Sequence, residues 1–133
     1  MLGPSSEFMI RYKILVVDDE PPIRDLLSDF FVNKGYSVIT SGTVEEALRK
    51  SNGETLHLVI LDVLLPDGDG METLSAIKAA HPHLPVLIMT GIGWDEELLQ
   101  EAKDRGASGY VSKTLPLNQL LMEVHRILRS VKE

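Results

Sequence analysis

The chain has 133 residues, a formal net charge of −7 at pH 7 and no cysteine. This length predicts one domain with a hydrophobic core of its own. The acidic balance argues against direct binding to nucleic acid or to an anionic membrane surface, and the lack of cysteine excludes disulfides, thiolate metal sites and cysteine nucleophiles.

The first residues of the chain show no hydrophobic periodicity and precede a second methionine, Met9. We therefore expect residues 1–8 to be a vector-derived leader and the domain to span residues 9–131. No apolar stretch approaches the roughly 20 residues that a membrane-spanning helix needs, and no signal peptide is recognisable. These features together predict a soluble, cytoplasmic protein.

Apolar runs rich in Val, Ile and Leu alternate along the chain with segments of helical periodicity. The strand-like runs lie at residues 14–17, 36–40, 58–61, 86–89 and 110–112. The helical segments begin near Pro21, Thr43, Asp69, Trp94 and Pro116. Five such units predict an α/β fold with a doubly wound parallel sheet. The flavodoxin-like strand order 2-1-3-4-5 suits this number of units.

Local signals predict where helices start and stop. Thr43 and Glu46 have the spacing of a capping box, which opens a helix. Gly106 follows an amphipathic segment at the position of a C-terminal cap. The apolar positions of the first helix recur at three- and four-residue spacing, which predicts an inward face made of Ile23, Leu26, Leu27, Phe30 and Phe31.

Polar residues follow four of the predicted strands. Asp18 and Asp19 follow the first strand and Asp62 the third, while Thr90 follows the fourth and Lys113 the fifth. Open parallel sheets bind ligands at the carboxyl ends of their strands, and the switch point of this strand order lies between the first and third strands. We therefore expect one acidic pocket flanked by a hydroxyl and an ammonium group.

Three carboxylates at close range repel one another unless a cation compensates them, so the acidic pocket predicts a bound hard divalent ion. Mg²⁺ is the natural candidate, with Asp19 and Asp62 as direct ligands and Asp18 acting through water. Asp62 is then placed to attack a phosphoryl group as a nucleophile. Lys113 and Thr90 would neutralise and hydrogen-bond the transferring oxygens.

These motifs resemble the receiver domain of two-component response regulators, and the chain is similar to the single-domain chemotaxis regulator over about residues 10–129. The resemblance rests on the pair Asp18-Asp19, the segment from Asp62 to Gly70, Thr90, and the segment from Gly106 to Lys113. It implies that Asp62 accepts a phosphoryl group from a sensor histidine kinase or a phosphotransfer protein. It also implies that Mg²⁺ is required and that the backbone carbonyl of Leu64 is a further metal ligand.

The same resemblance implies a conformational switch. Thr90 would shift toward the phosphoryl group while Tyr110 turns inward, which would change the surface of the fourth helix, fifth strand and fifth helix. This surface would control an output domain or a partner protein. A homodimer that forms on phosphorylation is an alternative output. Such a module is not a turnover enzyme, since it catalyses only its own phosphorylation and slow dephosphorylation.

Two departures from the usual receiver sequence lead to predictions about a peptide bond and about the rate of dephosphorylation. Lys113 is followed by Thr114 where most relatives have proline, and a cis peptide before a non-proline residue costs about 2.5–4 kcal/mol, so a cis bond at 113–114 is less favoured here. Leu64 and Ile92 are apolar and lie two residues after Asp62 and Thr90. Because apolar side chains cannot hold an attacking water by a hydrogen bond, we predict slow self-dephosphorylation.

Two other classes of protein fit parts of the pattern. A magnesium-dependent phosphohydrolase with an aspartyl-phosphate intermediate has a similar site, but usually carries a second acid where this chain has Leu64. A flavin-binding electron carrier needs a Gly/Ser/Thr-rich phosphate loop after the first strand. This chain has Asp18-Asp19-Glu20-Pro21-Pro22 there, which would repel phosphate. The phosphohydrolase is therefore the main alternative.

Overall fold

The computed structural model describes residues 11–91 and 95–132 of the chain. Five strands lie within these residues: β1 Lys13–Val17, β2 Ser37–Ser41, β3 Leu58–Asp62, β4 Val86–Thr90 and β5 Gly109–Ser112. They alternate with five helices: α1 Pro21–Asn33, α2 Val44–Gly53, α3 Gly70–Ala80, α4 Glu96–Asp104 and α5 Leu117–Lys132. The expectations for residues 1–8, Met9, Ile92 and Trp94 fall outside the described residues.

The five strands form one parallel sheet in the order β2-β1-β3-β4-β5, which confirms the predicted 2-1-3-4-5 topology. Their register aligns the carboxyl ends. Val17 lies opposite Leu61, and Asp62 lies opposite Met89 on the next strand. Thr90 in turn lies opposite Ser112, the residue before Lys113. The groups predicted to share a pocket therefore emerge at one edge of the sheet.

Helices cover both faces of the sheet. Strand residues such as Leu15, Val59 and Ile88 pack with α2, α3 and α4 on one face. Ile14 and Ile60 pack with α1 and α5 on the other. Residues 14–17 and 58–61 are all fully buried, which explains why these strands read as uninterrupted apolar runs instead of alternating ones.

The buried face of α1 is narrower than predicted. Leu27 and Phe31 are buried, as expected for residues one turn apart, but Leu26 is 49% exposed. Consecutive helical residues are about 100° apart around the axis, so Leu26 cannot share the inward direction of Leu27.

No described helix is both long and apolar enough to cross a lipid bilayer.

Three side chains bond to backbone amides at the start of α2. The Oγ1 of Thr43 accepts a hydrogen bond from the Glu46 amide at 3.1 Å, as the capping box predicts. The Glu46 carboxylate bonds to the amide of Gly42 at 3.0 Å, one residue earlier than in the standard box. Asp67 adds a cap from outside the helix, since its carboxylate accepts from the amides of Val44 at 2.8 Å and Glu45 at 3.3 Å.

The chain between β3 and α3 forms a tight loop. A short antiparallel ladder pairs Leu64–Leu65 with Gly68–Asp69. The amide of Gly70 donates to the carbonyl of Val63 at 3.1 Å. A Cβ atom at Gly70 would lie 2.4 Å from the Cα and 2.6 Å from the carbonyl oxygen of Val63. Because these are backbone atoms, only glycine fits at this position.

We expect Gly70→Ala to lower the free energy of unfolding by about 1–3 kcal/mol, the usual cost of over-packing. The matched control is Gly53→Ala at the end of α2, where an added methyl group meets nothing within 4 Å. The control should be neutral or slightly stabilising. Urea unfolding followed by circular dichroism measures both. Equal midpoints for the two variants would contradict the close approach at Gly70.

Candidate functional site

Three carboxylates meet at the carboxyl edge of the sheet. Asp18 and Asp19 directly follow β1, and Asp62 is the last residue of β3. Each offers one carboxylate oxygen, and these oxygens lie within 4.8 Å of one another. Asp18 and Asp62 are buried, at 0% and 2% exposure, while Asp19 is exposed. The structure thus brings together the acids that the sequence predicted to share a pocket.

Lys113 closes this cluster from the end of β5. Its Nζ lies 2.7 Å from Asp18 Oδ2 and 2.9 Å from Asp62 Oδ2. It also lies 3.0 Å from Glu20 Oε1. Burial by itself would lower the pKa of Lys113, but the hydrogen bonds to Asp18, Asp62 and Glu20 outweigh burial and raise the pKa above its ordinary value. Lys113 is therefore a cation held among three acids.

Backbone amides orient the two buried carboxylates. The Oδ1 of Asp18 accepts from the Glu20 amide at 2.8 Å, and the Oδ1 of Asp62 accepts from the Leu64 amide at 3.0 Å. Each acid therefore turns its Oδ2 toward Lys113. Burial raises the pKa of Asp18, and the charge of Asp62 adds to this, while the bonds to Lys113 and the Glu20 amide oppose it.

Thr90 lies on β4 and Tyr110 on β5, the two strands that follow β3 in the sheet. Thr90 ends β4 and is buried, and its carbonyl accepts from the amide of Lys113 at 2.8 Å. Tyr110 lies opposite Ile88 on β5 and is partly buried against the core beneath α2, α3 and α4. Burial raises the pKa of the Tyr110 hydroxyl, and the charge of Asp95 adds to this.

Two further observations concern the residues that follow Asp62 and Lys113. The Leu64 side chain is 57% exposed, so an apolar group stands in solvent two residues after Asp62. All described peptide bonds are trans, including the one between Lys113 and Thr114.

Glu20 is the site residue that sequence reasoning left without a role. Its signal was its position as the third acid in the run Asp18-Asp19-Glu20.

The donor set fits Mg²⁺. The three clustered groups are carboxylates, and this hard cation binds oxygen ligands with one or two carboxylates and several waters. Two of the carboxylates are buried beside an exposed third, so the cluster opens to solvent on the Asp19 side. A cation bound there would offset the carboxylate charge that Lys113 offsets only in part.

Comparisons with known proteins agree on the family. A family model described as response regulator receiver domain matches residues 14–125. The transcriptional regulatory protein CssR of Bacillus subtilis is 34% identical over 122 residues, which is 92% of this chain and 53% of that protein. Sporulation initiation phosphotransferase F of Bacillus subtilis is 33% identical over 120 residues, which is 90% of this chain and 96% of that protein.

A solved structure gives the same result. The CheY-like response regulator receiver domain protein of Methanospirillum hungatei superposes with a TM-score of 0.89 at 28% identity, covering 92% of this chain and 98% of that one. The chain thus spans about half the length of CssR and nearly all of phosphotransferase F.

The burial of Asp18 generates a prediction about stability. In EDTA at pH 7, Asp18→Asn should raise the free energy of unfolding by about 0.5–2 kcal/mol, since the amide keeps an acceptor for the Glu20 amide and removes a desolvated charge. A raised pKa means that the folded protein binds the proton more tightly than the unfolded chain, so the wild type loses stability as pH rises through the carboxyl range. The advantage of the variant should therefore shrink at acid pH.

Urea unfolding at several pH values measures this difference. Asp29→Asn, at an exposed position on α1, is the matched control and should change stability little. A less stable Asp18→Asn protein at pH 7 would mean that the ion pair with Lys113 outweighs the burial of the carboxylate.

Proposed function

We infer that Asp62 is the phosphoryl acceptor of this chain, which belongs to the family of response regulator receiver domains. As a member of that family, the chain is a phosphorylation-controlled module of a two-component system. The supporting observation is the convergence of Asp62 with Lys113 inside a cluster of three carboxylates. The matched family is a signalling family, which favours this function over the magnesium-dependent phosphohydrolase.

In the proposed reaction, a carboxylate oxygen of Asp62 attacks the phosphorus of a phosphohistidine. The phosphorus–nitrogen bond breaks, and its electron pair stays with the imidazole of the donor, while Asp62 becomes an acyl phosphate. The donor is a sensor histidine kinase or a phosphotransfer protein. The Asp62 carboxylate already lies 2.9 Å from the Lys113 ammonium, which offsets part of its negative charge.

Four protein groups would hold the cation. Asp19 and Asp62 are the proposed direct ligands, together with the backbone carbonyl of Leu64, while Asp18 acts through water. When bound, Mg²⁺ supplies positive charge to the phosphoryl oxygens. This role is supported by the oxygen-rich donor set and by the open side of the cluster at Asp19.

Lys113 and Thr90 would contact the transferred group. The Lys113 ammonium is close enough to Asp62 to exchange a carboxylate contact for a phosphoryl oxygen, and its raised pKa keeps it protonated. The hydroxyl of Thr90, at the end of the neighbouring strand, would then donate to another phosphoryl oxygen. Both residues act by stabilising charge and not by accepting a proton.

The signal would leave through the surface of α4, β5 and α5. A shift of Thr90 toward the phosphoryl group would make room into which Tyr110 turns, and this rearrangement would change that surface for an output domain or a partner protein. A phosphorylation-dependent homodimer through the same surface is the alternative output. We propose that residues 9–131 form this module and that it acts in the cytoplasm, which the absence of cysteine supports.

The proposed acceptor can be tested by intact mass spectrometry. The wild type incubated with Mg²⁺ and acetyl phosphate should gain the mass of one phosphoryl group, and the gain should disappear in EDTA. Asp62→Asn should gain none, since an amide is not a nucleophile for this reaction. Asp29→Asn on α1 should react as the wild type does. An equal mass gain in Asp62→Asn would place the acceptor elsewhere.

The lifetime of the phosphoryl group provides a second test. We expect it to last minutes or longer in the isolated wild type, because the exposed Leu64 side chain offers no hydrogen bond to an attacking water. Leu64→Asn should speed dephosphorylation roughly tenfold, the effect of one hydrogen bond of about 1.4 kcal/mol in the transition state. The decay is followed by intact mass after the donor is removed.

Val32→Asn is the matched control for this test, since Val32 is a 51% exposed apolar residue at the far end of α1. Its phosphoryl group should decay at the wild-type rate. A wild-type lifetime of seconds, or an unchanged rate in Leu64→Asn, would show that Leu64 does not limit access of water.

A further inference from the structure

Arg24 on α1 reaches the backbone of the acid pair. Its Nη1 donates a hydrogen bond to the carbonyl oxygen of Asp18 at 2.6 Å, and the residue is partly buried. On the other side, the amide of Asp18 donates to the carbonyl of Ser41 at 3.0 Å. The backbone of Asp18 is thus fixed at its amide by β2 and at its carbonyl by Arg24.

The carbonyl contact bears on the orientation of Asp19. The Asp18 carboxylate has its own restraints, from the Glu20 amide and from Lys113. The Asp19 carboxylate is exposed and makes no hydrogen bond or ion pair with the described part of the chain. The backbone sets the direction in which the Asp19 side chain leaves the chain, and the oxygen of the peptide group between Asp18 and Asp19 is the one that Arg24 holds.

We propose that Arg24 is a positioning residue for the Mg²⁺ site: it fixes the peptide between Asp18 and Asp19 and thereby aims the Asp19 carboxylate into the acid cluster. The proposal rests on the function proposed above. The direction of the change in Mg²⁺ affinity distinguishes this positioning role from a simple charge effect. A nearby positive charge weakens cation binding, so removal of the charge alone would tighten Mg²⁺ binding, whereas loss of positioning weakens it.

Gly42 makes room for this contact. A Cβ atom at position 42 would lie 2.8 Å from Nη1 and 3.4 Å from Cζ of Arg24. Positive φ angles of described glycines occur at Gly35 and Gly106 and not at Gly42, so alanine fits the backbone there. Because the atoms in the way belong to the end of a flexible side chain, Gly42→Ala should displace the guanidinium group while leaving its charge in the protein.

The test measures the Mg²⁺ dissociation constant by isothermal titration calorimetry for the wild type, Arg24→Ala, Gly42→Ala and the double variant. Partners that orient metal ligands typically contribute roughly 10–100-fold to affinity, so we expect each single variant to bind about tenfold more weakly. The double variant should bind no more weakly than Arg24→Ala, since both changes remove the same contact between Arg24 and the Asp18 carbonyl. Arg49→Ala, an exposed arginine on α2, is the matched charge control and should not weaken binding.

A structural readout accompanies the titration. In the wild type, Mg²⁺ should shift the amide resonance of Asp19 strongly in two-dimensional NMR, and the shift should be smaller in both single variants at equal saturation. Urea midpoints show that each variant is folded under these conditions. If Arg24→Ala does not fold, Gly42→Ala and Arg24→Gln decide the outcome.

The possible results separate the two levels of the hypothesis. Wild-type protein that binds no Mg²⁺ would refute the metal site itself. Wild-type binding with unchanged affinity in Gly42→Ala, or tighter binding in Arg24→Ala, would leave the metal site standing and overturn the positioning role of Arg24. Additive losses in the double variant would overturn the link between Gly42 and Arg24.

Discussion

The excess of negative charge at the carboxyl edge of the sheet is the constraint on which the rest of the site depends. Asp18, Asp19 and Asp62 meet there, and Lys113 lies within ion-pair distance of the two buried acids. Two unit charges 4.8 Å apart repel by roughly 3 kcal/mol at an effective dielectric constant of about 20. The Lys113 ammonium offsets only part of the charge of three carboxylates, so a bound divalent cation would lower the repulsion among them. The pKa of Asp18 is raised mainly by burial, and the negative charge of Asp62 adds to this.

The remainder of the fold supplies the stability that this cluster lacks. Strands β1 and β3 carry the acids, and their apolar residues are fully buried between two layers of helices. The loop after Asp62 is fixed at two points. Gly70 approaches the backbone of Val63 more closely than any other residue type could, and Asp67 caps the first turn of α2. These contacts hold the loop in place, and the Asp62 carboxylate is itself held by the Leu64 amide and by Lys113.

The sequence predicts the fold and the main site residues because both follow from short-range patterns. Alternating apolar runs and helical segments predict the parallel sheet, and polar residues after the strands predict the pocket. The capping box at Thr43 and Glu46 is equally local, since its members are three residues apart. Contacts that join distant segments carry no such pattern. Asp67 lies 23 residues from Val44, and nothing in the spacing reveals that its carboxylate caps that helix. The contact between Arg24 and the Asp18 carbonyl and the exposure of Leu26 likewise depend on how α1 is rotated against the sheet.

In the proposed function, Lys113 has two roles that compete. It offsets the charge of the acids, and it donates a hydrogen bond to the phosphoryl group. Its ammonium holds Asp18, Glu20 and Asp62 at 2.7–3.0 Å, so a phosphoryl oxygen can gain this donor only if one of those contacts lengthens. A cation shared by the carboxylates makes that exchange less costly, because it takes over part of the compensation. The backbone of Lys113 is tied to the carbonyl of Thr90, and Tyr110 precedes it by three residues on β5. A change in the partners of this lysine is therefore directly connected to the strand that carries the proposed switch residue. In the proposed function, the residue that offsets part of the acidic charge is therefore also joined to the strand through which the signal would pass.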